Sequence, residues 1–86
     1  MSHSTPDSVD LEELRSLMAV TFELPPEEVT DDAHFAEDLG VDSLTALEIT
    51  TRLEDRYGVV VSDDEFKTIS TLLSVRELVR RKLTQA

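Results

Sequence analysis

The sequence predicts an all-α fold, a four-helix bundle with a short third helix and a long loop between helices 1 and 2. Three observations predict it. Apolar residues recur at spacings of three and four in separate segments, the period of helices that bury one face. A serine or aspartate followed three residues later by glutamate opens several of these segments, as in Asp10/Glu13, Ser62/Glu65 and Ser74/Glu77. The one β-prone run, Val59-Val60-Val61, is short and has no partner run, so it reads as an extended connection with its valines packed inward.

Leu11, Leu14, Leu17, Met18 and Phe22 share one face of the first helix. Asp10 is placed to cap it, with Glu13 completing a capping box. Pro25-Pro26 is expected to end it, because proline lacks a backbone donor and restricts the residue before it. Glu27 to Gly40 has no sustained period. In this long loop Val29, Phe35 and Leu39 are expected to pin the chain to the core, and Gly40 to supply the positive φ of a closing turn. Asp42 then caps a second helix whose first turn contains Ser43. Its core stripe is Ala46, Ile49, Thr50, Leu53 and Tyr57. A separate stripe, Leu44, Leu47, Glu48, Thr51 and Asp55, lies to one side, and Gly58 ends the helix. Ser62 opens the short third helix, with Phe66 and Ile69 inward. Ser74 is expected to open the fourth, where Val75, Leu78, Val79 and Leu83 are apolar and Arg80, Arg81 and Lys82 suit the negative pole of the helix. Residues 1–9 are expected to form a disordered tail and residues 10–84 a single domain.

A chain of 86 residues holds one core and no second domain. It has no cysteine, hence no disulfide, no thiolate metal site and no thiol nucleophile of its own. Met1 to Asp10 lacks the apolar run of a signal peptide, and nothing approaches the roughly 20 apolar residues of a membrane span. A monomeric cytoplasmic protein that binds neither membrane nor nucleic acid is expected. Net charge is −11 at pH 7, and all of it sits on residues 27–65, where thirteen acids face two bases, Arg52 and Arg56. That field repels nucleic-acid phosphates and anionic lipid, and it speeds encounter with basic protein surfaces. The plainer alternative is an acidic surface that only keeps a small protein soluble.

No catalytic constellation stands out. There is no H-E-x-x-H, no G-x-S-x-G and no P-loop glycine pattern. His34 and Ser43 could meet as base and nucleophile, but a solvated loop histidine is far commoner, and two glycines leave little to build an oxyanion hole. Asp31-Asp32 and Asp63-Asp64 lack the twelve-residue loop of a calcium site, so no metal site is expected. What remains is Leu39 to Leu44, a tight turn that delivers a capping aspartate and an exposed hydroxyl, Ser43, to the start of a helix.

Phe35-Ala36-Glu37-Asp38-Leu39-Gly40-Val41-Asp42-Ser43-Leu44 resembles the F-x-E-D-L-G-x-D-S-L signature of acyl carrier proteins. The resemblance continues through Glu48-Ile49, Leu53-Glu54 and Tyr57-Gly58 and covers roughly residues 10 to 84. D-S-L alone occurs by chance; with its lead-in, the amphipathic helix behind it and the acidic middle, it is specific. The resemblance implies a non-catalytic carrier whose Ser43 receives 4′-phosphopantetheine from coenzyme A. A phosphopantetheinyl transferase supplies the catalysis and the magnesium, and Asp42 helps to orient that enzyme. Leu44, Leu47 and Thr51 would give apolar contact to acyl-loading and acyl-processing enzymes, whose basic residues would meet Glu48, Glu54 and Asp55. The core helices of many such carriers partly sequester a short acyl chain.

Departures from the family pattern bear on subtype. Thr45, Thr51, Arg52 and Arg56 set the chain apart from fatty-acid carriers, and D-S-L-T-A-L-E is closer to polyketide carriers. Gly40-Val41-Asp42 lacks the glycine pair of peptidyl carriers. Ser70 to Ser74 is longer than in the commonest carriers. A free-standing polyketide-type carrier is therefore expected. An aminoacyl or peptidyl carrier, a fatty-acid carrier and an unmodified acidic interaction module stand as alternatives.

Overall fold

The computed structural model describes residues 9–84. Four helices follow in order: α1 (Leu11–Phe22), α2 (Ser43–Tyr57), α3 (Asp63–Phe66) and α4 (Leu72–Thr84), with a 3₁₀ turn at Pro26–Glu28. No strand forms among the described residues, and Val59–Val61 is an extended connection. Helices α1, α2 and α4 enclose the core. Leu14 and Met18 from α1, Ile49 and Leu53 from α2, and Leu72, Val75 and Val79 from α4 are all buried. Each such side chain contributes about 1.5–3 kcal/mol by leaving water.

Helix starts are capped as the sequence suggests, with informative exceptions. The Asp10 carboxylate accepts the backbone N–H groups of Glu12 and Glu13. Glu13 does not close a capping box, because its side chain pairs with Arg56 of α2 instead. The Ser62/Glu65 box forms in both directions. The Ser74/Glu77 box does not. Helix α4 starts earlier, at Leu72, where Thr71 and Ser74 cap reciprocally: Thr71 N–H donates to Ser74 Oγ at 2.9 Å and Ser74 N–H to Thr71 Oγ1 at 3.2 Å. Serine in place of glutamate hid this pair, and the earlier start carries Leu72 into the core. Ser70 and Thr71 thus lead into α4, and Leu72 to Ser74 form its first turn.

Four further expectations need correction. Helix α1 ends at Phe22, before the prolines, with Glu23 in the left-handed region at φ 60°. Leu24 N–H donates to Ala19 O and Glu23 N–H to Val20 O, a Schellman closure with glutamate where glycine is usual. Of the three valines, Val59 is buried, whereas Val60 is 72% exposed, because an extended chain points alternate residues to opposite sides. Ile69 lies beyond the end of α3, half-buried in the turn that follows. Residues 1–8 lie outside the described residues; Val9, which the sequence placed in the tail, is buried against the core.

The α1–α2 loop is pinned at several points. Val29 and Phe35 are buried, and the Phe35 ring meets that of Phe22 edge-on at 4.9 Å between centroids. Arg15 of α1 donates to Val29 O and to the carboxylates of Asp31 and Glu12. The carboxylates of Glu12 and then Asp31 raise the pKa of the guanidinium. Phe35 N–H donates to Ser70 O at 2.8 Å, and Leu73 N–H to Asp31 O at 3.3 Å, so the loop is stitched to the segment ahead of α4. Gly40 closes the loop at φ 69° and delivers the chain to α2.

Candidate functional site

Asp42 is the N-cap of α2 and Ser43 its first residue. The Asp42 carboxylate accepts the Thr45 backbone N–H at 2.9 Å, and this bond holds the carboxyl below its usual pKa. Ser43 is exposed. Its backbone belongs to a rigid element, so the hydroxyl stands in solvent at a fixed place. No hydrogen bond joins it to His34, whose backbone N–H donates instead to the Asp38 carboxylate. The base–nucleophile pair needed for hydrolysis is not assembled.

Helix α2 separates its two stripes onto opposite sides. Ile49 and Leu53 face the core at 1% and 0% exposure, while Leu44 and Leu47 face solvent at 75% and 54%. Glu48, Thr51, Glu54 and Asp55 are exposed beside the two leucines. Glu48, Thr51, Arg52 and Asp55 line a shallow hollow on this face. Arg56 is turned away from it by its bond to Glu13. The sequence-predicted residues therefore form one continuous surface leading from Ser43 along α2.

A second feature was missing from the sequence-predicted site. A cleft of about 330 Å³ lies between the loop, α2 and α3, with Phe35, Val41, Ala46, Ile49, Phe66 and Ile69 among its walls. Its size is at the small end of the range for small-ligand pockets. Ala46 stands one turn along α2 from Ser43, and Val41 two residues before it. Phe35, Ala46, Ile49, Phe66 and Ile69 read as ordinary inward-facing residues in sequence, and nothing there singles out Val41. The small side chain of Ala46 on the inward stripe was the one local signal that space is left there.

Among the described residues no cluster of histidine, aspartate or glutamate could hold a metal ion, and no helix is long and apolar enough to cross a membrane. A small helical bundle that holds the Ser43 hydroxyl outward at a helix start, flanks it with an exposed apolar and acidic face and backs it with a largely apolar cleft fits a presenting module, a carrier domain. The family described as "Phosphopantetheine attachment site" matches residues 12–81. A polyketide-8 synthase acyl carrier protein 2 from Streptomyces avermitilis is 49% identical over 83 residues, covering 96% of this chain and 95% of that one. An acyl carrier protein from Thermosynechococcus vestitus is 34% identical over 73 residues, 85% of this chain and 90% of that one. Among solved structures, an acyl carrier protein from Enterococcus faecalis superposes with a TM-score of 0.70 at 25% identity, covering 84% of this chain and 91% of that one. The chain belongs to the acyl carrier protein family, whose members are non-catalytic and carry a 4′-phosphopantetheine group.

Proposed function

We propose that this protein carries acyl intermediates of a polyketide or related specialised pathway as thioesters on a 4′-phosphopantetheine arm attached to Ser43. The observation that carries the attachment point is the exposed hydroxyl at the first residue of α2, directly after the capping Asp42. A phosphodiester there stands at a helix N-terminus, which favours negative charge. The arm brings the thiol that this cysteine-free chain lacks. Ser43 fixes the origin of the arm, and Asp42 keeps α2 closed at its first turn and offers the transferase a charged neighbour. The polyketide assignment is supported by the name of the 49%-identical Streptomyces avermitilis relative and by Thr45, Thr51 and Arg52 on α2.

The exposed face of α2 fits the docking of a phosphopantetheinyl transferase and of acyl-processing enzymes in the cytoplasm. Leu44 and Leu47 offer apolar contact and Glu48, Glu54 and Asp55 offer charge to basic side chains. Such exposed charges steer encounter collectively more than they add affinity singly. The cleft beside Ser43 is suited to the first carbons of an acyl chain, shielding them from water between encounters.

Incubation with coenzyme A and a promiscuous phosphopantetheinyl transferase, followed by intact mass, tests the attachment. A gain of roughly 340 Da, the mass of one arm, is expected. Ser43→Ala should abolish it with unchanged circular dichroism. No gain on the native chain overturns the assignment. Mass analysis of the acylated arm trapped in the native host identifies the cargo, and a saturated fatty acyl chain there would overturn the polyketide part alone.

A further inference from the structure

Helix α3 has only four residues, far fewer than an isolated helix needs in water. It buries no residue fully and packs against the other helices less than α1, α2 and α4 pack on one another. Yet Phe66 at its end, with Lys67 and Ile69 just beyond, forms one wall of the cleft beside Ser43. The far end of this wall is tied to the loop by the bond from Phe35 N–H to Ser70 O and by Ile69 against the core, and its α3 end is held in another way.

At the α3 end, one carboxylate oxygen bridges two elements. Glu65 Oε1 accepts the Ser62 backbone N–H at 3.0 Å, closing the first turn of α3, and also accepts Lys82 Nζ at 2.7 Å. Lys82 belongs to the last turn of α4. Its side chain is 21% exposed and that of Glu65 32%, so the pair is partly shielded from solvent. The Glu12–Arg15 and Glu77–Arg80 pairs, by contrast, link neighbours within one helix and fix no element relative to another. The Glu65 contact crosses from the least packed helix to one rooted in the core by Leu72, Val75, Leu78 and Val79.

We propose that Lys82 is a positioning residue for the cleft: through Glu65 it ties α3 to α4 and thereby sets how far the Phe66 wall stands from α2, and so how well the cleft holds a cargo chain. This rests on reading the cleft as the cargo compartment. Removing the ammonium leaves the Ser62 cap in place but frees the α3 wall to move outward.

The test uses the full chain loaded with a hexanoyl arm, made from hexanoyl-coenzyme A by a promiscuous transferase and checked by mass. Amide exchange is read at Phe66 to Ile69, and cargo-dependent amide shifts at Val41, Ala46, Phe66 and Ile69. In Lys82→Met, exchange at Phe66 to Ile69 should quicken about two- to fivefold, while amides of Leu53 and Val79 stay unchanged. The cargo-dependent shifts should shrink, and Lys82→Arg should restore both readouts. Glu65→Gln, which keeps a capping acceptor but loses the charge, should behave like Lys82→Met and serves if that variant folds poorly. Unchanged exchange in α3, or equal quickening throughout the molecule, overturns the latch. Absence of cargo-dependent shifts in the unsubstituted protein overturns the cleft reading instead, whatever Lys82 does.

Discussion

Leu53 and Leu44 stand on the same helix, and the fold treats them in opposite ways. Leu53 is wholly buried between α1 and α4, and Leu44 is three-quarters exposed beside Ser43. The first side chain contributes to stability because it leaves water. The second stays in water and adds no such contribution. An exposed leucine is unremarkable alone; two of them on a turn-spaced face beside Ser43 form the apolar part of the surface proposed above for docking. The two ends of the bundled helices offer a parallel contrast. Helix α2 ends on Gly58 at φ 70°, whereas α1 ends on Glu23 at φ 60°, the same left-handed conformation with and without a Cβ.

Truncation separates the two faces most sharply. Leu53→Ala should cost about 2–5 kcal/mol in denaturant unfolding, because neighbours on three helices cannot collapse fully into the space. At the helix ends the two caps should respond with opposite signs. Gly58→Ala meets no atom within 4 Å and should still cost about 1 kcal/mol, since the penalty is the left-handed backbone rather than a clash. Glu23→Gly should gain about 0.5–1 kcal/mol by relieving the same strain, read as a rise in midpoint without a change in slope.

Acid offers a smaller, local probe. Lys82 and the Ser62 cap hold the Glu65 carboxyl down from 4.5 to about 2. A lowered folded value means that its contribution is complete above the unfolded value and is lost as pH falls from about 4.5 through about 2. The protection factors of the α3 amides, taken against the intrinsic exchange rate at each pH, should fall across that window, and Glu65→Gln should flatten the step. The smallest effect on stability belongs to Leu44→Ala, within about 0.5 kcal/mol of zero. The same variant should raise KM for arm transfer by the transferase. If Leu44→Ala instead destabilised the fold as Leu53→Ala does, the distinction between the two faces would fail.

The sequence by itself determined the helical class, the positions of α1 and α2, the Asp42 cap, the Ser62/Glu65 box and the outward serine. These are local: a cap lies within three residues of what it closes, and a 3.6 period reads the same in any fold. It also carried the F-x-E-D-L-G-x-D-S-L run, which is contiguous. Only the tertiary structure decided where α4 begins, that Glu13 serves Arg56 rather than a cap, that Val60 points outward, and that a cleft opens beside Ser43. The Glu13 pairing and the cleft turn on residues distant in the chain. The α4 start rests on a Thr71/Ser74 cap that is local but lacks the glutamate of a capping box, and Val60 points outward because neighbours in an extended chain alternate. Glu13 had two available partners, and the packing of α2 on α1 chose between them. The cleft exists because a loop, a long helix and a four-residue helix converge without filling the space between them, and volume left over between segments has no signature in any one of them.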